Sequence, residues 1–456
     1  MGLNRQADPA PFGITWRYPL APYQIAGITR LASGSLILAD DMGLGKTIQA
    51  IGGLRLRARA GGGPALVVVP ASILLQWRAE LRDWAPELRI STARGTQDER
   101  RAAWQAEADV YLAGYESLVA DMLARYPRAP ALREWDVVVL DEAQRLKNPR
   151  AATTLVLRRL HRKDAWALSG TPLENRLDDL VSILNFVAPG RFDRRSMMVG
   201  LRGLLARMLL RRRRSEVMPE LPTKTRFHIA LPLLASQRSA YDIAEREGIV
   251  WLRSMGDNIR VSHVLELILR LKQICNAHPE TGASAKLDDL ARRVDDITAT
   301  GEKALVFSQF VSEPFGVMEV AHRLRGLRPL TLTGRQDVAE RARVLGEFAA
   351  DPARRVLVLS LRAGGVGLNL TAASVVFLLD HWWTPSAGAQ AEDRAHRKGQ
   401  LLPVQVFSYL TPDTIETRIA EIIARKQGLF DAFVDGVDMP GLARLELSDL
   451  LEAVGV

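Results

Sequence analysis

An apolar run, Leu36 to Ala39, leads into Asp40, Asp41, Met42, Gly43, Leu44, Gly45, Lys46 and Thr47, and a helical pattern follows. A strand, a glycine-containing turn and a helix start in that order make a phosphate cradle. Backbone N–H groups and the positive end of the helix dipole then face the anion. In this reading Asp41 to Gly45 line the cradle, Lys46 reaches the β- and γ-phosphates, and Thr47 gives a hydroxyl to Mg²⁺. The general pattern has glycine where this chain has Asp40, so the match is partial.

A second apolar run, Val137–Leu140, delivers Asp141, Glu142, Ala143 and Gln144. Open α/β sheets bind ligands outside the carboxyl ends of their strands. A Mg²⁺–nucleotide site needs one carboxylate near the metal and another for the attacking water, and Asp141 and Glu142 fit these roles in turn. Two acids after a strand can also cap the next helix; the phosphate loop favours the catalytic assignment. Ser169, Gly170, Thr171 and Pro172 follow a third apolar run and, by themselves, read as a turn. Far along the chain, Arg394 and Arg397 lie in the stretch Gln390–Gln400, three residues apart, which places both on one helical face. Such a pair can serve as arginine fingers for charge on a transferring phosphoryl group. It can equally belong to a surface helix with Glu392 and Asp393 as salt-bridge partners.

Positioning these residues requires parallel sheets. Five candidate strands precede the middle of the chain: Ser35–Ala39, Ala65–Pro70, Asp109–Ala113, Val137–Leu140 and Ala165–Leu168. Five follow it: Lys303–Phe307, Leu330–Leu332, Arg355–Leu359, Ser374–Leu379 and Val404–Tyr409. Short apolar runs alternating with helical patterns predict two α/β lobes with both sheet faces covered. From about Asp178 to Thr298 the spacing turns helical, as at Val264, Leu265, Ile268 and Leu271, with prolines near Pro219, Pro222 and Pro232 interrupting it.

At 456 residues, two or three domains are expected from the usual ~100–200 residues per domain. Met1–Pro22 carries prolines and charges where a secretory signal needs an apolar centre. One cysteine, Cys275, excludes an internal disulfide and a cysteine-built zinc site, and favours a reducing, cytoplasmic location. His278, His381 and His396 lack metal-ligand spacing, so no metal beyond Mg²⁺ is expected. The formal charge of +9, mostly arginine, favours a polyanionic partner through phosphate contacts.

The ordered set of motifs resembles the ATPase core of the SWI/SNF-type chromatin-remodelling family, within helicase superfamily two. Tyr18–Gln24 is similar to its adenine-recognising motif, which makes Gln24 the base contact. Leu38–Gln49 resembles the family's own phosphate loop, including Asp40. Val69–Trp77, Tyr115–Leu118, Asp141–Asn148 and Ser169–Asn175 resemble motifs Ia, Ib, II and III. Leu210–Val217 with Leu221–Lys224 resembles the segment joining the lobes, where Arg211–Arg214 form either a solvated basic face or a DNA or inter-lobe contact. Leu271–Pro279 is like a family signature, and Lys303–Phe310 resembles motif IV. Arg362–Leu370 resembles motif V and brings Gly365 into the nucleotide site. Asp380–Pro385 resembles a tryptophan-pair motif, with Trp382 and Trp383 read as packing groups; Gln390–Gln400 resembles motif VI.

The resemblance implies two RecA-like lobes. The first covers residues 1–228, with a helical protrusion from about 178. The second covers 229–456, with a helical insertion over about 235–298 and a short tail after Phe430. It implies ATP and Mg²⁺ as ligands, with Lys46, Glu142, Arg394 and Arg397 catalytic and Thr47 and Asp141 on the metal. It further implies movement along double-stranded DNA in a cytoplasmic, nucleoid-associated setting, with a separate targeting or accessory protein. The competing reading is a nucleotide-dependent DNA-binding switch inside a larger assembly.

Overall fold

The computed structural model describes residues 11–122, 129–146, 151–170, 177–190, 207–218, 221–361, 368, 370–380, 385–397, 399–434 and 447–455. The chain folds as two compact units, Met1–Pro219 and Glu220–Val456.

Among its described residues the first unit holds seven strands: β1 (Leu36–Leu38), β2 (Ala65–Val69), β3 (Ile90–Ala93), β4 (Val110–Gly114), β5 (Trp135–Asp141), β6 (Arg162–Leu168) and β7 (Leu209–Leu210). Their order is β3-β4-β2-β5-β6-β1-β7, and every recorded pairing is parallel. Strands β1, β2, β4 and β5 are buried along their whole length, as expected of strands covered on both faces. The described helices are α1 (Pro22–Ala32), α2 (Lys46–Arg59), α3 (Leu74–Trp84), α4 (Gln97–Gln105), α5 (Tyr115–Met122), α6 (Ala152–Arg158), α7 (Leu177–Val187) and the single turn α8 (Arg214–Val217). The sheet order sets β5, β6 and β1 side by side, so the loops leaving their carboxyl ends are neighbours. Three motifs distant in sequence are thereby brought together.

In the second unit the sheet order is β10-β11-β9-β12-β13-β8. The strands are β8 (Lys224–Ala230), β9 (Ala304–Ser308), β10 (Leu330–Leu332), β11 (Val356–Ser360), β12 (Val375–Leu378) and β13 (Val404–Leu410). Its described helices are α9 (Ala235–Ser254), α10 (Val261–Asn276), α11 (Ala285–Ala299), α12 (Val317–Arg323), α13 (Val338–Ala350), α14 (Pro385–Ala395), α15 (Ile415–Val434) and α16 (Leu447–Val454).

All ten predicted strands are present, and among the described residues three more join them. One addition moves the boundary: β8 pairs with β13 over seven residues, from Lys224 with Val404 to Ala230 with Leu410. The division therefore falls at Pro219/Glu220 rather than at 228/229, because the hydrogen bonds of 224–230 belong to the second sheet. Helix α15 continues to Val434, and Leu450, Ala453 and Val454 of α16 are buried in one cluster with Tyr241, Leu252, Leu267 and Ile419. Cys275 sits in that cluster as a small hydrophobe, and burial pushes its thiol up to about 12. Beside it, the fully buried Lys286 ammonium donates to both carboxylate oxygens of Glu416 at 2.7 and 2.8 Å, tying α11 to α15. No helix among the described residues is long and apolar enough to cross a membrane.

Candidate nucleotide site

The phosphate loop turns through Gly43 (φ 83°) and Gly45 (φ 70°), two positions in the left-handed region where a side chain would be strained. Gly45 caps α2 without any side-chain acceptor for the helix's first N–H groups, the arrangement that suits an external anion. A Cβ on Gly45 would lie 2.7 Å from Nε2 of Gln24, so Gln24 and the glycine turn are in close approach. The Gln24 carbonyl oxygen accepts from the N–H of Ala21 at 2.9 Å, which fixes its rotamer at the start of α1. Lys46 donates to the carbonyls of Asp40 (2.7 Å) and Asp41 (3.3 Å). Burial lowers its pKa below the ordinary lysine value, against the opposing pull of Glu142, Asp141, Asp40 and Asp41. Thr47 follows it within the first turn of α2, half-buried.

Asp141 ends β5 with both carboxylate oxygens engaged. One accepts the indole N–H of Trp77 at 2.7 Å and the other the backbone N–H of Glu142 at 2.8 Å. The Tyr115 hydroxyl donates to the Asp141 carbonyl at 2.7 Å. Burial, then the neighbouring charge of Glu142, pushes the Asp141 carboxyl up to about 6. A buried acid so disfavoured as an anion gains from a nearby cation, and in that respect the pair of Thr47 and Asp141 fits Mg²⁺. Glu142 has φ 51°, a left-handed conformation that a non-glycine residue adopts at a cost of about 1–2 kcal/mol. Its carboxylate accepts from the side-chain amide of Gln144, whose own oxygen accepts from the Ser169 hydroxyl at 2.8 Å. Ser169 is thus more than a turn residue: it connects motif III to the carboxylate assigned to water. Gly170 closes the cradle, since a Cβ there would meet Met42 at 2.7 Å and the Lys46 ammonium at 3.4 Å.

Two further residues enter from an unexpected place. Strand β7 runs alongside β1, and the chain that leaves it stays bonded to the loop: Asp41 N–H donates to the Arg212 carbonyl at 3.1 Å. The Arg212 guanidinium forms a fork onto the wholly buried Asp40, with Nε at 2.9 Å and a terminal nitrogen at 2.5 Å. Arg214 donates its backbone N–H to Asp41 at 2.9 Å and its side chain to the Met42 carbonyl. Arg211–Arg214 as a solvated basic face is therefore corrected for Arg212 and Arg214, which turn inward onto the phosphate loop. The departure at Asp40 has the same explanation. A buried carboxylate at a strand end requires a cationic partner, and Arg212 supplies it.

In the second unit, α14 ends at Ala395. Arg394 lies in its last turn, whereas Arg397 lies past its end, donating to the Leu368 carbonyl at 3.2 Å. The shared helical face predicted for the two arginines is corrected accordingly. Glu392 pairs outside its own helix, with Lys224 at 2.8 Å and Arg226 at 2.6 Å, and Asp393 lies 3.5 Å from Lys224. Burial by itself raises the Glu392 carboxyl, but bonds and charge from Arg226 and Lys224 hold it below the ordinary glutamate range. Edge strand β8 thereby anchors the helix that carries Arg394. His396 meets the Pro222 carbonyl at 2.8 Å and His278 accepts backbone N–H groups of Glu280 and Thr281, so both have turn-holding partners. Gly365, Trp382 and Trp383, and motif III beyond Gly170, lie outside the described residues.

Trp77, Tyr115, Gln144 and Arg212 carry positioning roles that spacing did not reveal. Their signal was indirect: each belongs to a recognised motif segment, yet its partner lies 25 to 189 residues away or, for Gln144, in the same turn.

The model of the SNF2-related domain matches residues 23–280, and that of the helicase conserved C-terminal domain matches residues 285–399. The chain is 34% identical over 473 residues to the putative ATP-dependent helicase/translocase YwqA of Bacillus subtilis, covering 94% of this chain and 50% of the relative. It is 33% identical over 453 residues to the mouse SWI/SNF-related matrix-associated actin-dependent regulator of chromatin subfamily A member 1, covering 88% of this chain and 42% of the relative. The chain thus spans half or less of the length of these relatives. Among solved structures, the Sulfolobus solfataricus SWI2/SNF2 ATPase core in complex with dsDNA is 28% identical, with a TM-score of 0.44 and coverage of 94% of this chain and 95% of that one. With the first model matching more than half of its length, the chain belongs to the SNF2-related domain family.

Proposed function

We propose that the chain is a DNA-stimulated ATPase that couples hydrolysis to movement along double-stranded DNA and so remodels protein–DNA complexes. The observation that carries the ATPase is the convergence of Lys46, Asp141, Glu142 and Ser169 at the carboxyl ends of three adjacent strands. Gln24 recognises the base, residues Asp41 to Gly45 wrap the phosphates, and Lys46 neutralises their charge. Thr47 and Asp141 would hold Mg²⁺, which screens the phosphate oxygens. Glu142 orients the attacking water and accepts its proton, with Gln144 fixing the carboxylate. Arg394 and Arg397 are assigned to the charge on the transferring phosphoryl group and Gly365 to the nucleotide, as the family motifs imply.

The DNA assignment is supported by the relatives, a putative ATP-dependent helicase/translocase and a regulator of chromatin, and by the charge of +9. The same proposal includes a cytoplasmic, nucleoid-associated setting, with targeting left to a separate protein. The test is ATP turnover with duplex DNA, with single-stranded DNA and without either. Stimulation by duplex above single strand supports the proposal; equal turnover in all three refutes it. Binding to duplex should also weaken steeply with salt and depend little on sequence, because the contacts are to phosphates.

A further inference from the structure

Arg212 bonds to three separate pieces of the nucleotide site at once. Its guanidinium reaches Asp40 at the start of the phosphate loop through two nitrogens, at 2.9 and 2.5 Å. It also reaches Oε1 of Gln49 on α2 at 2.7 Å and the carbonyl of Tyr23 on α1. Gln49 closes the ring, donating to Asp40 and to the Leu44 carbonyl, each at 3.1 Å. Tyr23 immediately precedes Gln24, and the Arg212 guanidinium lies 5.4 Å from the Tyr23 ring centre. Gly27, one turn further along α1, faces the same group: a Cβ there would lie 1.8 Å from Gln49 Oε1 and 2.9 Å from Arg212. Helix α1 is therefore pressed onto the arginine network with no room for a side chain between them.

We infer that Arg212 is a positioning residue that sets the distance between the base-recognising helix and the phosphate loop, and so determines how much of the binding of ATP comes from its base. This rests on the assignment of ATP to the site. A planar fork with fixed donors suits the task, because it holds carboxylate, amide and carbonyl in one plane with little freedom. The Lys46 ammonium bonds to the backbone carbonyls of Asp40 and Asp41 and not to the Arg212 guanidinium, so it and the N–H groups at the start of α2 stay available to phosphate when the arginine is removed. Loss of the arginine then leaves phosphate recognition and removes the registry of Gln24 against it.

The experiment compares equilibrium binding of ATP and of inorganic tripolyphosphate to the wild-type chain and two variants. Arg212→Met removes the fork, and the double variant Asp40→Asn with Arg212→Met also removes the orphaned buried carboxylate, so that folding is preserved. Melting temperature verifies the fold of each. The expected result is that ATP affinity drops about tenfold or more, the loss expected for a charge-assisted bond, while tripolyphosphate affinity stays within about twofold. Equal losses for both ligands would make Arg212 a brace of the phosphate loop alone and overturn the inference. An unchanged ATP-to-tripolyphosphate ratio in the folded double variant would overturn it too. A wild-type chain that binds neither ligand would instead refute the site assignment, and the inference with it.

Discussion

Asp141→Asn separates what the nucleotide site needs from what folding prefers. The carboxyl is moved from its ordinary 3.8 to about 6, first by burial and then by Glu142. A group raised in the folded state binds its proton more tightly there than in the unfolded chain. Its favourable contribution is complete below pH ~4 and is lost as the pH rises through about 6. At roughly 1.36 kcal/mol per pKa unit, an ionised Asp141 costs the folded protein about 3 kcal/mol above that window. Asparagine removes the pH-dependent cost but offers one oxygen to two donors, Trp77 Nε1–H and Glu142 N–H. One of them is left unpaired at about 1–3 kcal/mol, a loss that does not vary with pH. The difference in stability between variant and wild type should therefore swing by about 3 kcal/mol in favour of asparagine between pH 4 and pH 8. For a unit of this size that is roughly 6–12 °C in melting temperature. The assay is thermal unfolding of both proteins across that range in chelator without nucleotide. Parallel curves would refute the argument, because they would mean that Asp141 carries no buried charge penalty.

Three further outcomes follow from the same geometry. Lys46→Ala should lose nearly all ATPase activity while keeping its melting temperature within a few degrees, as measured by steady-state turnover and circular dichroism. Arg394→Ala and Arg397→Ala should each depress DNA-stimulated turnover by about 10³–10⁵, the usual worth of an arginine finger, with nucleotide affinity of the protein much less affected; a surface salt bridge would give about 0–1 kcal/mol of stability and unchanged turnover. Glu392→Gln should destabilise the second unit by about 1–3 kcal/mol, because it removes the charge-assisted bonds that Lys224 and Arg226 donate. The destabilisation should shrink as the pH falls below the ordinary glutamate range, where the wild-type carboxylate also loses its charge.

The ten strands with mainly apolar runs, and the loops at their ends, were legible because buried parallel strands have a composition of their own. The three missed strands lack that signature. Ile90–Ala93 alternates burial at the sheet edge, Leu209–Leu210 is two residues long, and Lys224–Ala230 is polar and largely exposed. Missing β7 had a chemical consequence, since that strand brings Arg212 to Asp40 across 172 residues. Asp40 carried a hint, as a carboxylate at the end of an apolar strand implies a cation somewhere. Spacing could not say which arginine, because the pairing is set by sheet order and not by sequence. The helical pairing of Arg394 with Arg397 failed for a local reason: α14 stops at Ala395, two residues before the second arginine. Trp77 and Gln144 act on the carboxylates, and Tyr115 on the Asp141 backbone carbonyl, through single hydrogen bonds that no periodicity encodes.

Displacement of a third strand from a triplex-bearing DNA duplex reads movement along DNA without requiring the duplex to be opened. The wild-type chain with ATP and Mg²⁺ should release the third strand and leave the duplex strands paired. Glu142→Gln should bind ATP and the same DNA yet release none, since it keeps its shape and loses the carboxylate proposed to take the proton from water. Release by Glu142→Gln at the wild-type rate, or no release by a wild-type chain that hydrolyses ATP on the same DNA, would contradict a motor driven from this site.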